Sequence, residues 1–168
     1  MYGLGEGANV TVSDITFDQQ QTSFILHYYG KPHQIQVPLI GEFNVLNVMA
    51  AVSVALKLGA TWEKITAALK TFPALPGRQE QYVIDDVHYY IDFAHTPNGL
   101  ESILEYLKNR KGSGRLICVF GAPGMRDKGK RPEMGSVVER LADDIIITDD
   151  DAAQENRREI ISQIMKGI

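Results

Sequence analysis

The chain has 168 residues, of which 44% are hydrophobic and 23% charged, a composition typical of a globular protein that folds around a core. A net charge of -4 gives no basic surface for binding nucleic acid, so no nucleic-acid partner is expected. No apolar segment approaches the length of a membrane span and the first ten residues do not resemble an export signal, so we expect no membrane partner and a cytoplasmic location.

Several kinds of site are excluded by the residues themselves. The single cysteine, Cys118, lies inside the apolar run RLICVF, so we expect a buried, unreactive thiol in a reducing compartment. No cluster of His and Cys residues has zinc spacing, and no metal site is predicted. The phosphate-binding pattern G-x-x-x-x-G-K-[ST] is absent, which excludes an autonomous ATPase of that type.

The first part of the chain predicts a β-meander followed by two helices. Polar and apolar residues alternate in segments 9–18, 22–29 and 33–40, as they do in half-buried strands. From Phe43 a helical period replaces this alternation and stops at Gly59. A second helix is predicted from Thr61, as its N-cap, to Phe72. The following FPALPGR segment contains two prolines and a glycine, and we place a domain boundary there, after residue 77.

In the second part, strands and helices alternate. The apolar runs VHYYIDFA, RLICVFG and DDIIITDD are separated by helical stretches that begin near Pro97, Arg131 and Asn156. This alternation predicts an α/β fold with a Rossmann-like parallel sheet and crossover helices, although the chain has few strands for a complete domain of that type.

Three loops follow these predicted parallel strands, and such loops meet at one edge of a sheet, where ligands bind. The middle loop combines glycines with four cations before a helix N-terminus, an arrangement that favours anions. The cations are Arg126, Lys128, Lys130 and Arg131. A solvated, charged loop without a ligand is the alternative interpretation.

Other polar residues allow two interpretations at this stage. Asp92 is either a turn residue or a ribose or metal contact, and His95 alone is more often structural. Asn44 and Asn47 lie three residues apart on one helix face, where they either read a base or cap the helix. Arg78 follows Pro-Gly and is compatible with an ordinary linker charge.

Five segments in this order resemble the Mur ligases, and most closely the UDP-N-acetylmuramoyl-tripeptide synthetases, the MurE subfamily. They are GEFNVLNVMAAVSVALKLG, LPGRQE, YIDFAHTPNGLESIL, FGAPGMRDKGKRPEMG and IIITDDD. The resemblance covers the whole chain. The pairing of DFAHTP with GKRPEMG is specific to this type of enzyme.

The resemblance implies that the chain is a fragment. Residues 1–77 are similar to the end of the central, ATP-binding domain, and residues 78–168 to the start of the C-terminal domain. The phosphate loop, the carbamylated lysine, the sugar site and most Mg²⁺ ligands would then lie in missing domains of the same chain. The fragment would contain no catalytic residue and would be inactive alone.

The family uses ATP to phosphorylate the carboxylate of UDP-MurNAc-L-Ala-D-Glu, and the amine of an amino acid then attacks the acyl phosphate. Carried over by position, the resemblance assigns ATP contacts to two halves that close about the FPALPGR hinge. These contacts would be Asn44, Asn47, Arg78, Asp92, His95 and Thr96. Arg126 would hold the carboxylate of the incoming amino acid, with Lys130 close by.

The sequence also departs from the family pattern. Pro123 stands where the family usually has glycine, which removes one N–H from the loop, and Met125 replaces a residue that is often polar. Ala153 replaces the arginine that grips the distal carboxylate of meso-diaminopimelate. A lysine-type or other diamino acid is therefore favoured, with Asp150 or Asp151 near its ammonium group.

Two alternatives to this enzyme type stay open at this point. One is another ligase of the superfamily, such as a folylpolyglutamate synthase or a cyanophycin-type ligase. The other is a non-catalytic module that binds a nucleotide or an amino acid.

Overall fold

A computed structural model describes residues 8–18, 21–73 and 75–168. Contacts within the chain define two compact units, residues 1–93 and residues 94–168. None of the described helices is long and apolar enough to span a membrane.

The first unit contains the predicted meander. Strands β1 (Val10–Phe17), β2 (Thr22–Tyr28) and β3 (Lys31–Val37) form an antiparallel sheet in the order β1-β2-β3. One face of the sheet is apolar because alternate residues are buried, among them Phe24, Leu26, Ile35 and Val37. Because two helices cover this face, the unit has a closed core.

Helices α1 (Glu42–Lys57) and α2 (Trp62–Lys70) agree with the predicted helices to within two residues at each end. α1 buries Val45, Val48, Met49 and Val52, which recur at helical spacing against the sheet. The Thr61 hydroxyl accepts a hydrogen bond from the backbone N–H of Lys64, as expected of an N-cap.

The next two strands correct one prediction. β4 (Glu80–Ile84), which the sequence pattern did not reveal, pairs antiparallel with β5 (Val87–Ile91) in a two-stranded sheet. The strand predicted in VHYYIDFA is therefore a hairpin strand and not the first strand of a parallel sheet. Asp85 and Asp86 form the two-residue turn with φ of 49° and 61°, left-handed values that a tight hairpin requires and aspartate tolerates.

The second unit has the alternating order that the sequence predicts. It contains α3 (Pro97–Lys108), β6 (Ile117–Phe120), α4 (Lys130–Leu141), β7 (Asp144–Ile147) and α5 (Arg157–Met165). β6 and β7 are parallel, as predicted. One face of this pair packs on the helices through Cys118 and Phe120, whereas Ile117, Val119 and Ile146 on the opposite face are exposed.

The core of the second unit yields a test with a matched pair of methionines. Met134 is 0% exposed and Met125 is 63% exposed. We expect Met134→Ala to lower the free energy of unfolding by about 2–5 kcal/mol, because it leaves a cavity in the core. Met125→Ala should change it by less than about 0.5 kcal/mol. Urea denaturation of both variants measures the difference, and equal effects would contradict the described packing.

Candidate functional site

Three segments of the second unit meet beside the N-terminus of α4. They are the chain before α3, the loop after β6 (residues 121–129, the β6 loop) and the loop after β7 (residues 148–156, the β7 loop). The Lys130 Nζ donates to the backbone oxygen of His95 at 2.8 Å. The backbone N–H of Gly124 donates to the backbone oxygen of Asp151, also at 2.8 Å. Ligand-binding loops in α/β folds occupy this kind of position.

Two glycines allow the β6 and β7 loops to approach each other closely. A Cβ atom on Gly124 would lie 1.9 Å from the backbone oxygen of Ala152, and one on Gly121 would lie 2.6 Å from that of Thr148. Neither distance is compatible with a side chain, so glycine is required at both positions. The glycines predicted to permit close backbone approach therefore serve contact between two loops.

A buried ion pair fastens the two loops together. Arg131 is 0% exposed, although it is a charged residue in the first turn of α4. Its guanidinium donates from Nη1 to Glu155 Oε2 at 2.8 Å and from Nη2 to Glu155 Oε1 at 3.2 Å. It also donates to Gln163 Oε1 at 2.6 Å and to the backbone oxygen of Pro123 at 3.0 Å. We call Arg131 and Glu155 the loop clamp, because they join α4, both loops and α5.

Glu155 also interacts with two other residues of the β6 loop. The backbone N–H of Met125 donates to its Oε1 at 2.5 Å, and the Lys128 ammonium lies 3.3 Å from Oε2. The hydrogen bond from Arg131, followed by that from Met125, lowers the pKa of Glu155 from 4.5 to about 2. The carboxylate is therefore ionised at all physiological pH values.

The clamp separates the four cations of the β6 loop and α4 by role. Arg131 is inside the protein, Lys128 faces Glu155, and Lys130 is bonded to the His95 carbonyl. Arg126 is exposed and forms no ion pair with any residue in the described part of the chain. Arg126 is thus the cation of this group that is most available to an external carboxylate.

The β7 loop presents exposed carboxylates opposite the β6 loop. Asp149 pairs with Arg157 at 3.2 Å, so part of its charge is compensated. One oxygen of Asp150 accepts from the N–H of Asp151, and one oxygen of Asp151 accepts from the N–H of Ala153. The remaining oxygens of these two exposed side chains are oriented by the turn, which suits them to bind an ammonium group.

The first unit holds a second group of candidate residues. The Asn47 Nδ2 donates to Asn44 Oδ1 at 3.1 Å, and the Asn44 Nδ2 donates to Gln79 Oε1 at 2.9 Å. The backbone N–H of Gln79 donates to Asp92 Oδ2 at 3.0 Å. These bonds bring helix α1, the segment after Pro76 and the end of β5 together.

Arg78 lies next to this second group. Its Cζ atom is 4.4 Å from the centroid of the Phe93 ring, in a cation–π contact. Asn44, Asn47, Arg78 and Asp92 therefore form one group, which Gln79 links.

Two of the predicted ligand contacts have local structural roles. The Thr96 hydroxyl accepts from the N–H of Gly99 at 3.2 Å and caps α3, whose first residue is Pro97. His95 contributes its backbone oxygen to Lys130. Cys118 is buried as expected, and burial raises the pKa of its thiol to about 11.

Sequence reasoning missed Gln79 and Glu155. Gln79 follows a Pro-Gly-Arg turn and carries no local pattern that marks it as a contact residue. Glu155 stands one residue before the N-cap of α5, where an acidic residue is ordinary. Each bonds to residues far away in the chain, and that information is absent from local patterns.

The described residues contain no group of three His, Cys, Asp or Glu side chains that could hold a metal ion. We assign no magnesium ligand to this part of the chain.

The structure is that of a mixed α/β protein whose candidate site lies where the β6 and β7 loops meet. Comparisons with known proteins identify its family. A family model described as "Mur ligase, glutamate ligase domain" matches residues 77–167, and a model described as "Mur ligase middle domain" matches residues 1–55. The chain belongs to the Mur ligase family, as its motifs predicted.

The most similar relatives include a UDP-N-acetylmuramoyl-L-alanyl-D-glutamate–2,6-diaminopimelate ligase of Gloeobacter violaceus. It is 44% identical over 99% of this chain and 34% of its own length. A solved structure of an enzyme with the same name is 30% identical, with a TM-score of 0.57, over 99% of this chain and 34% of that one.

The fold also extends to a folylpolyglutamate synthase of Mycobacterium tuberculosis solved with ADP and AMPPCP. That structure has a TM-score of 0.76 at 20% identity and covers 96% of this chain and 37% of its own. The chain thus spans about a third of the length of the relatives that it matches.

The boundary predicted after residue 77 stays a prediction. The C-terminal family model begins at residue 77, so it includes the β4–β5 hairpin, whereas contacts within the chain place this hairpin in the first unit.

The loop clamp can be tested by removing its negative charge. Glu155→Gln leaves the buried Arg131 guanidinium without an ionic partner, and such a loss is strongly destabilising. We expect the melting temperature to fall on the order of 5 °C. Glu139→Gln, on the exposed face of α4, is the matched control and should leave it nearly unchanged. Equal melting temperatures for both variants would contradict the clamp.

The clamp also predicts a pH dependence. Because folding lowers the pKa of Glu155 from 4.5 to about 2, its stabilising contribution is complete above pH 4.5 and is lost as the pH falls towards 2. The stability difference between the native chain and Glu155→Gln should therefore shrink below about pH 4.5. Thermal unfolding between neutral pH and about pH 2.5 measures it, and a constant difference would rule out this source of stability.

Proposed function

We propose that these residues are part of an ATP-dependent ligase that adds an amino acid to UDP-MurNAc-L-Ala-D-Glu in peptidoglycan synthesis. The observation that carries the proposal is the match of two Mur ligase domain families, in order, to a chain whose relatives are named as ligases of that dipeptide. The whole protein would act through an acyl phosphate, as the family resemblance implies.

The chemistry explains why this reaction needs a cationic loop. A carboxylate does not react with an amine until one of its oxygens has become a good leaving group, and phosphorylation by ATP provides that group. The incoming amino acid must then be held with its amine free and its own carboxylate neutralised. Arg126 is suited to that second task, because its exposed guanidinium can bind a carboxylate through two hydrogen bonds.

The clamp supports the same assignment by fixing the loop that carries Arg126. Glu155 binds the N–H of Met125, the residue immediately before Arg126. The start of the β6 loop is also held to the β7 loop through Gly124. A guanidinium on a fixed backbone loses less entropy when it binds a ligand than one on a mobile loop. In this proposal Lys130 acts mainly by holding the His95 segment against α4.

The group around Asn44 and Arg78 is proposed as the nucleotide contact of the first unit. Amide side chains can hydrogen-bond a purine edge, and an arginine can neutralise phosphate charge. Asn47 and Arg78 are exposed, so both are accessible to a ligand. Asp92 belongs to the same group, and the family resemblance separately implies nucleotide contacts for His95 and Thr96 of the second unit. Mg²⁺ would be bound by residues elsewhere in the protein.

We propose a diamino acid as the second substrate. The relatives are named for 2,6-diaminopimelate, a diamino acid with a second carboxylate. Ala153 offers no cation for that distal carboxylate, whereas Asp150 and Asp151 can meet a distal ammonium group. A lysine-type amino acid is therefore favoured over meso-diaminopimelate.

The complete gene product, purified with all the sequence its gene encodes, tests the proposal. Given ATP, Mg²⁺, UDP-MurNAc-L-Ala-D-Glu and L-lysine or meso-diaminopimelate, it should release phosphate and form a UDP-muramyl tripeptide that mass spectrometry detects. Arg126→Ala should raise the KM for the amino acid at least about tenfold, since a charged hydrogen-bond pair is lost.

Arg158→Ala is the matched control for Arg126→Ala. Arg158 is exposed on α5 and is not one of the proposed contacts, so its loss should leave the KM for the amino acid unchanged. Phosphate release that depends on a folate or on a cyanophycin primer would favour another ligase of the superfamily. Tight ATP binding with no phosphate release for any amino acid would favour a non-catalytic module.

A further inference from the structure

We propose that Gln79 is a positioning residue of the nucleotide site, an inference that rests on the function proposed above. Gln79 would set the orientation of the amides of Asn44 and Asn47 and the direction of Arg78, without being the principal contact itself. Neither the family resemblance nor the sequence pattern assigns it a role.

Gln79 accepts one of the hydrogen bonds that orient the Asn44 amide. Asn44 uses both hydrogens of its amide, one on the backbone oxygen of Ile40 at 2.8 Å and one on Gln79 Oε1 at 2.9 Å. Its own Oδ1 accepts from Asn47. Both donors of the Asn44 amide are thus engaged within the protein, so Asn44 can contact a base only through the second lone pair of its Oδ1, and Gln79 Oε1 fixes which way its amide faces.

Gln79 joins this chain of amides to the phosphate-facing part of the proposed site. Its backbone N–H is held by Asp92 Oδ2 at 3.0 Å, and Arg78 is the adjacent residue. A change in the Gln79 side chain therefore acts on the proposed base contacts, and a change in its backbone acts on Arg78. Gln79 therefore couples the proposed base contacts to the proposed phosphate contact, and a bound nucleotide would touch both.

Two features of Gln79 work against stability of the fold. Its φ of 51° lies in the left-handed region, which glycine adopts without steric cost but in which a residue with a side chain is strained. Its Nε2 is buried and has no hydrogen-bond partner within the described residues. Local strain retained together with an unpaired buried donor is characteristic of functional positions.

The variant Gln79→Gly distinguishes a residue that only forms a turn from one that positions the nucleotide site. If Gln79 were only a turn residue, Gln79→Gly would relieve the strain and would leave nucleotide affinity unchanged. If it positions the site, the same variant keeps its thermal stability and loses affinity for ATP. The two roles are therefore separated by one substitution.

The experiment uses the complete gene product and its steady-state kinetics. We expect Gln79→Gly and Gln79→Met to raise the KM for ATP about tenfold, with kcat at saturating ATP and the KM for the amino acid within about threefold of the native values. Asp86→Gly is the matched control, because it relieves a similar left-handed φ of 61° in the hairpin turn. It should leave the KM for ATP unchanged.

A double-mutant cycle gives a second readout. Asn44→Ala should also raise the KM for ATP, and the Asn44→Ala/Gln79→Met double variant should be no worse than either single variant, because both remove one contact. An unchanged KM for ATP in both Gln79 variants, or additive losses in the cycle, overturns the inference while leaving the ligase intact. A native protein without ATP-dependent ligase activity would instead overturn the proposed function and this inference with it.

Discussion

The arrangement of the second unit depends on one buried charge. Arg131 is completely enclosed, and removing a guanidinium from water is costly unless carboxylates and carbonyls replace its hydration. Glu155, Gln163 and the carbonyl of Pro123 accept hydrogen bonds from the two terminal nitrogens, and in doing so they determine where both loops must lie. The ion pair between Arg131 and Glu155 is stable only with the loops in place. The burial of Arg131 therefore determines the position of the loop that carries Arg126. A fixed loop backbone that carries an exposed guanidinium suits the binding of a small zwitterion.

In the first unit, the candidate site depends on a chain of hydrogen-bonded amides. There the chain of amides from Asn47 to Gln79 is bonded in one direction, and it ends in a strained residue with an unpaired donor. The sheet and the two helices of this unit form a closed core, and Gln79 is not one of its residues but lies in the segment that follows the second helix. Stability is thus supplied by the core, and the proposed binding residues are free to occupy conformations that a fold alone would not favour.

Much of the fold was predictable, because its signals are local. The alternation in residues 9–40, the helical period after Phe43, the cap at Thr61 and the start of a helix near Asn156 each reflect short-range physical preferences, and the structure confirms them. β4 escaped prediction because four of its five residues are exposed, so no buried alternation marks it, and its Asp-Asp turn is a weaker signal than Asp-Gly. Without it, VHYYIDFA could be read only as a strand of the parallel sheet.

The residue types of the candidate site were predictable, but the role of each residue was not. Four cations within six positions indicated an anion site, and only the tertiary structure shows that Arg131 is internal. Which cation is buried depends on Glu155 and Gln163, which lie 24 and 32 residues further along the chain. Local sequence patterns contain no information on such pairings.

The most direct measurement is a crystal structure of the complete gene product with an ATP analogue and the amino acid that supports phosphate release. We expect the carboxylate of the amino acid to lie within hydrogen-bond distance of the Arg126 guanidinium, while Arg131 stays buried against Glu155. A carboxylate bound by Arg131, with Arg126 pointing into solvent, would contradict this expectation.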